Sequence, residues 1–375
     1  MRLPAKAKPN AIVIAEPMIS QIISAQPNFP LVVANPVEPT YEIRATKNMG
    51  LGMFATRALE PGDLVLSERP VLVYPNGFRS SNPGLSTSME EFEAAFVVAM
   101  DEMRAEDRIA YRKLAKGVDV PHAGDLVRIA TANCFRLPLS LPGGPNKRWT
   151  IGDYRAVYLD ISRINHSCSP NTVADFDFPS FSMVVRAARE IKPEEEISTT
   201  YVGTLDRSKA QRRQLLAFCM DACGCSVCTN PVSDASESRR MAIASYAPWT
   251  IVNHLAASIE APNKLLVDLE QCLQNVEDEG LQSIVCYPML LDLCGRLAGI
   301  VGNQTLADDL RGKAEMFYQM RAWYTVPKNF VEWVFEPLEG IPERVRWAAS
   351  HGPQFQQMQM LNRWSPNIQD SSDVD

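Results

Sequence analysis

Long apolar runs are missing from this sequence. None approaches the roughly 20 residues that span a bilayer, which excludes a membrane-spanning protein. A basic excess is missing too: lysine and arginine number 37 against 44 aspartates and glutamates, a net charge of −7. The chain therefore lacks the footprint of a nucleic-acid binder, and direct nucleic-acid binding is not expected. Its charge instead attracts basic partners, such as a lysine-rich tail, at long range. A disulfide framework is absent: the nine cysteines are odd in number, and Cys223, Cys225 and Cys228 crowd into six residues. Such thiols read better as metal ligands in a reducing, intracellular compartment, nuclear or cytoplasmic. A secretory h-region is absent as well. Arg2, Lys6 and Lys8 precede an apolar stretch at Ala11–Ile14, but Glu16 and Pro17 cut it short.

What is present is enough hydrophobic material (46%) for a packed globular protein, and 375 residues suit two domains or three rather than one core. Residues 1–40 read as a flexible, proline-punctuated arm. From Tyr41 to Tyr74 short alternating stretches predict strands, broken by a glycine turn at Gly50–Gly52 and by Glu60-Pro61-Gly62-Asp63. Phe92, Phe96 and Met100 fall four apart, predicting a helical insert over about 79–150, with a Pro- and Gly-rich loop from Pro138 to Lys147. Strand character returns at Phe181–Ile191 and Ile197–Tyr201, around a turn at Lys192–Glu196. Beyond a polar linker, 236–350 reads as an all-α domain of stacked helical pairs, TPR-like in outline. Leu265, Leu266, Leu269, Cys272 and Leu273 form one apolar face and Met289, Leu290, Leu293, Leu297 and Ile300 another. Residues 351–375 read as a polar tail.

Two constellations carry chemistry. Asn165-His166-Ser167-Cys168-Ser169-Pro170-Asn171 puts amide, imidazole and thiol on one irregular segment that Pro170 keeps from becoming helical, and this histidine is one of only four. Cys223-x-Cys225-x-x-Cys228 can wrap one face of a metal, but tetrahedral zinc needs a fourth ligand. Cys168 is the best candidate, with Cys219 the local rival. Cys272, Cys286 and Cys294 sit in helical apolar patterns and read as small core residues.

Taken in order, Gly50-Leu51-Gly52-Met53-Phe54-Ala55, the Asn165–Asn171 segment, Glu195-Glu196-Ile197-Ser198-Thr199-Thr200-Tyr201 and the CxCxxC cluster resemble the SET-domain protein methyltransferases. The helical insert and helical C-terminal part resemble the SET-and-MYND branch, in a fungal-type version. The resemblance covers about Tyr41 to Pro231, with weaker support to Ser350. It implies an α+β fold: a β-rich SET domain over 41–232 with a pseudoknot-like crossing, the helical insert, a zinc-binding post-SET segment over about 212–230, and the all-α domain. It implies S-adenosylmethionine as methyl donor. Gly50, Leu51, Gly52 and Met53 match the cofactor-binding turn. Asn165 and His166 match the pair holding the cofactor's amino-acid and adenine parts, and Asn133 resembles a further cofactor contact. Tyr201 matches the catalytic tyrosine, and Cys168, Cys223, Cys225 and Cys228 would hold one zinc.

Two departures stand out. No MYND finger is present, since Pro70 to Ala132 contains no cysteine. The aromatic usually found two residues before the cysteine cluster is Asp221, with Phe218 the nearest substitute. Glu195 and Glu196 read as turn and surface charges. The expected activity is methyl transfer to lysine side chains of a basic protein or peptide, by a monomer. A catalytically weak, SET-like partner-binding scaffold and a methyltransferase for a non-protein amine are the alternatives.

Overall fold

A computed structural model describes residues 11–15, 17–25, 28–76, 88–117, 119, 122–142, 148–217, 219–220, 222–230, 234–245 and 262–320. The expectations for Phe218, Asp221, residues 321–350 and the polar tail over 351–375 lie outside the described residues. Among those described, strands form three small sheets, and no helix is long and apolar enough to cross a membrane.

The first sheet runs β2 (Tyr41–Ala45), β3 (Leu51–Ala55), β11 (Glu196–Thr199) and β8 (Asn165–His166). The β2–β3 hairpin closes where Gly50, at φ +71°, takes a left-handed conformation that side chains resist. The Thr46 amide donates to the Gly50 carbonyl at 2.7 Å across this turn. β11 is antiparallel to β3 but parallel to β8, with Ser198 opposite Asn165 and Thr199 opposite His166. A parallel pair needs a long crossover. Here the crossover is β9 (Thr172–Asp177) and β10 (Ser182–Ala187), which join β4 (Leu64–Glu68) as a second sheet.

The third sheet is ordered β1 (Ile12–Val13), β5 (Leu72–Pro75), β7 (Arg148–Val157) and β6 (Cys134–Pro142). It corrects two expectations. The arm predicted as flexible contributes to the fold in part: β1 pairs in parallel with β5, and Ala11, Val13 and Ile23 are buried. Its short apolar run completes a sheet edge that would otherwise stand open. The helical insert ends at Asn133, and the loop expected from Pro138 is strand as far as Pro142. β6 is the sheet's other edge, where a proline's missing N–H is tolerated. Residues 79–87 and 143–147 lie outside the described residues.

The helical part of the insert is α2 (Met89–Glu102), α3 (Ala105–Arg112) and α4 (Asp125–Asn133), after α1 (Pro17–Ser24). Ser88 starts α2 with a reciprocal capping box to Glu91. Phe96 and Met100 are buried beneath it, as their spacing predicts. The C-terminal helices are α7 (Asp234–Ser245), α8 (Pro262–Asp278), α9 (Tyr287–Ile300) and α10 (Gln304–Met320). The expected apolar faces of α8 and α9 are buried, except that Ile300 is exposed. Val202, Leu205 and Leu216 belong to the same apolar cluster as these helices, so the helical region shares a core with the segment after β11.

Candidate active site and metal centre

The site is built on a short 3-10 turn, Ile161–Arg163, and the β8 strand that follows it. Glu68, at the end of β4, holds the turn's start. Its Oε1 accepts from the Leu159 amide at 2.7 Å and its Oε2 from the Ile161 amide at 2.8 Å, with the Asp160 amide between them. Burial, and after it the nearby Asp160, pushes the Glu68 carboxyl up to about 7 despite those bonds.

Tyr201 folds back onto the segment after this turn. Its hydroxyl donates to the Ile164 carbonyl at 2.9 Å, and its backbone N–H donates to His166 Nδ1 at 3.0 Å. Burial raises the phenol well above its ordinary value, so it stays protonated at neutral pH. Burial pushes the His166 imidazole down to about 4, leaving it neutral. With Nδ1 accepting, the ring proton sits on Nε2, which faces the Cys168 sulfur at 3.4 Å. Both ring nitrogens are thus engaged inside the protein, and the side chain is 1% exposed. A cofactor contact of the kind expected of His166 would therefore run through its backbone.

Asn165 donates through Nδ2 to Glu196 Oε1 at 2.8 Å and to the Leu51 carbonyl at 3.2 Å, tying the glycine turn to β8. Gly52 explains itself here. A Cβ at that position would lie 2.5 Å from Thr46 Cγ2, 2.7 Å from Glu196 Oε1 and 3.0 Å from Asn165 Nδ2. Gly50 has open space on its Cβ side, and Leu51 is exposed. Met53 is different: its side chain is fully buried in the core, so a ligand contact there would fall to its backbone. The Asn133 amide nitrogen is committed to the carbonyls of Ala115 and Ile129, both at 2.7 Å, while its backbone carbonyl accepts from Ser162 Oγ at 3.0 Å. Asn133, Phe135, Ser162, Ile164, Tyr201 and Cys219 share the wall of a cleft that opens to solvent.

Cys168, Cys223, Cys225 and Cys228 converge beside the cleft, with all four sulfurs within 4.8 Å of one another. Cys168 and Cys228 sulfurs are 3.5 Å apart, and the Cys168 amide points at the Cys225 sulfur at 3.4 Å. A tetrahedral ion with 2.3 Å metal–sulfur bonds wants sulfurs about 3.8 Å apart, so the set fits a closed four-thiolate centre. Cys219 is outside it, bonded to the Leu216 carbonyl and lining the cleft. Cys225 caps a short helical turn, α6 (Ser226–Thr229), which swings Cys228 back toward Cys225. Gly224 lies over Met49, so the thiol loop packs against the glycine turn.

Several pinning residues escaped the sequence reading. Asn171 is fully buried; its Oδ1 accepts from the Ser198 amide at 2.8 Å and its Nδ2 donates to the Glu196 carbonyl at 2.9 Å. Glu195 is partnered by Arg189 at 2.9 Å and by Asn171 at 3.1 Å, and Glu196 holds Asn165. Both glutamates are half-buried and hold fixed partners, and Glu195 also closes the expected turn by accepting from the Lys192 amide at 3.1 Å. Asn171 was visible in its motif, but glutamates in a charged turn carry no signal of which partners they hold.

A profile of the SET domain matches residues 50–202. Over those residues the chain is similar to the SET domain. The histone-lysine N-methyltransferase set5 of Schizosaccharomyces pombe is 25% identical over 248 residues, 64% of this chain and 68% of that protein. The zebrafish (Danio rerio) N-lysine methyltransferase SMYD2-B is 33% identical over 79 residues, and human histone-lysine N-methyltransferase SMYD3 is 36% identical over 80. Each of these two matches covers 21% of this chain and 18% of the relative, so the chain spans less than a fifth of their length. Among solved structures, the SET domain of LSMT bound to lysine and AdoHcy matches over 88% of each chain at 11% identity, with a TM-score of 0.27.

Proposed function

We propose that this protein transfers a methyl group from S-adenosylmethionine to lysine side chains of a basic protein. One observation carries the reading: Tyr201, held by Ile164 and His166, stands on the wall of the same cleft that Asn133 and Ser162 line. The names of the SET-domain relatives support lysine as the acceptor. Gly50, Leu51 and Gly52, Asn165, the His166 backbone and Asn133 would hold the donor at the cleft, where it supplies an electrophilic methyl on a sulfonium.

The chain's own residues must orient and exclude. The Tyr201 hydroxyl spends its proton on the Ile164 carbonyl, so toward polarised C–H groups or an incoming amine its oxygen can act only as an acceptor. That fixes donor and acceptor along one line, where orientation lowers the barrier. Because burial keeps the hydroxyl protonated, Tyr201 acts as an orienting dipole rather than as a base. Apolar Ile164 and Phe135 in the wall favour the neutral form of a lysine amine, the form that attacks. The net charge of −7 draws lysine-rich segments toward the protein.

We read the four-thiol cluster as one structural zinc in a closed site, with no position left for substrate. It would clamp the Cys223–Cys228 loop to Cys168, two residues past His166. The reducing conditions that keep these thiols free fit an intracellular, nuclear or cytoplasmic protein. The test is incubation of the purified chain with methyl-labelled S-adenosylmethionine and a mixture of histones and other basic proteins. Label should appear on lysines, located by mass spectrometry. Tight donor binding without any transfer would refute the activity and favour the scaffold alternative.

A further inference from the structure

Arg212 is a fully buried cation on α5 (Lys209–Leu216), and nothing in the proposed transfer reaction uses it. Its Nη1 donates to the Arg207 carbonyl, but Nε and Nη2 are buried with no hydrogen-bond partner. The nearest carboxylate oxygen, Glu237 Oε1, is 3.7 Å away and makes no hydrogen bond of its own. The helix of Arg212 is set against the thiol cluster, since Lys209, one turn earlier on α5, reaches the Cys228 carbonyl at 2.7 Å. A buried guanidinium with two idle donors beside a thiol cluster is costly unless those donors have a job.

The other cations around the cluster are already committed. Arg240 is also fully buried, but it is paired with Glu279 at 2.9 Å and donates to the carbonyls of Cys168 and Leu205 and to Ser169 Oγ. Lys209 donates its ammonium to the Cys228 carbonyl at 2.7 Å. His166 has Nδ1 taken by the Tyr201 amide at 3.0 Å, so only Nε2 faces Cys168. A divalent ion held by four thiolates carries two net negative charges, and in a buried site these need a compensating cation within reach. We propose that Arg212 is that counter-cation: its guanidinium, through the idle donors, hydrogen-bonds the Cys168 thiolate of the loaded centre and sets its metal affinity. The assignment rests on reading the four thiols as a metal centre. It explains why a charged residue of α5 is buried here: an apolar residue would fill the volume but leave the thiolates uncompensated.

The test is zinc affinity of the full chain by competition with a chromophoric chelator, for wild type, Arg212→Met and Arg212→Lys. Groups that bond metal ligands from outside typically govern affinity by 10- to 100-fold, so Arg212→Met should bind zinc about 10-fold or more weakly. Arg212→Lys, which keeps the charge but not the fork, should fall between the two. Cobalt(II) in place of zinc adds a direct readout: losing a donor to Cys168 makes that thiolate more electron-rich, so the thiolate-to-cobalt charge-transfer band should move to longer wavelength. If Arg212→Met does not fold, the same comparison is made on Arg212→Lys. Zinc affinity and cobalt spectrum equal to wild type in the folded variant would overturn the role of Arg212 while leaving the metal centre standing. A wild-type chain that binds no zinc would overturn both.

Discussion

Replacing Glu68 with glutamine asks which force dominates at the turn that carries the site. Three amides, those of Leu159, Asp160 and Ile161, point at the Glu68 carboxylate, and by themselves they would favour its charged form. Burial and Asp160 oppose them and win, since the carboxyl is pushed from 4.5 up to about 7. The sign follows from linkage. A folded-state value above the unfolded one means that the stability Glu68 contributes is complete below about pH 4.5 and is lost as pH rises through about 7. At 1.36 kcal/mol per unit, the loss is about 3 kcal/mol at most. Glutamine is close in shape to the protonated acid and does not titrate. Relative to wild type, Glu68→Gln should therefore gain stability between pH 5 and pH 8, by about 3 kcal/mol at most, whatever offset the lost acceptor leaves at pH 5. Its methyl-transfer rate should nevertheless fall, because an amide offers one acceptor oxygen to three amides and the turn leading to Ile164 loosens. The assay is urea denaturation of both proteins from pH 5 to 8, taking the difference in unfolding free energy at each pH. A difference that does not change with pH, or that moves in favour of wild type as pH rises, would refute the reasoning, since it would mean that the amide bonds outweigh burial.

Cys225→Ser should reduce zinc from about one ion per chain to almost none and lower the melting temperature, as metal analysis and calorimetry will show; full zinc retention would remove Cys225 from the centre. Gly52→Ala should cost about 1–3 kcal/mol in stability and weaken S-adenosylmethionine binding, because its Cβ would displace the Asn165–Glu196 pair. Thermal melts and titration calorimetry that match wild type would contradict that crowding. Tyr201→Phe keeps the ring but removes the hydroxyl bonded to Ile164. It should lower the transfer rate while leaving donor affinity nearly unchanged, and an unaltered rate would exclude Tyr201 from the reaction.

The segments that meet at the cleft and the thiol cluster stood out before the fold was known. Residue types and close spacing are enough to mark Asn165–Asn171, Tyr201 and the CxCxxC cluster, because thiols and glycine turns announce their needs locally. The sequence also determined the helix faces at Phe96 and Leu269, where an apolar period of 3.6 leaves one side to bury. The tertiary structure decided which groups meet. Glu68 and Asp160 are 92 residues apart, and Arg240 reaches the Cys168 carbonyl across 72. No local pattern separates such a charge from one on the surface, so Glu68, Arg212, Arg240 and Glu196 were legible only once the chain had closed around them. The same holds for Ala11–Val13 and for Pro138, whose places depend on which strand lies at a sheet edge. It holds also for the side chains of His166 and Met53, whose motifs name the residue but not the direction it faces. Burial of a polar or charged group is a property of its neighbours, and those neighbours are assembled from distant parts of the chain.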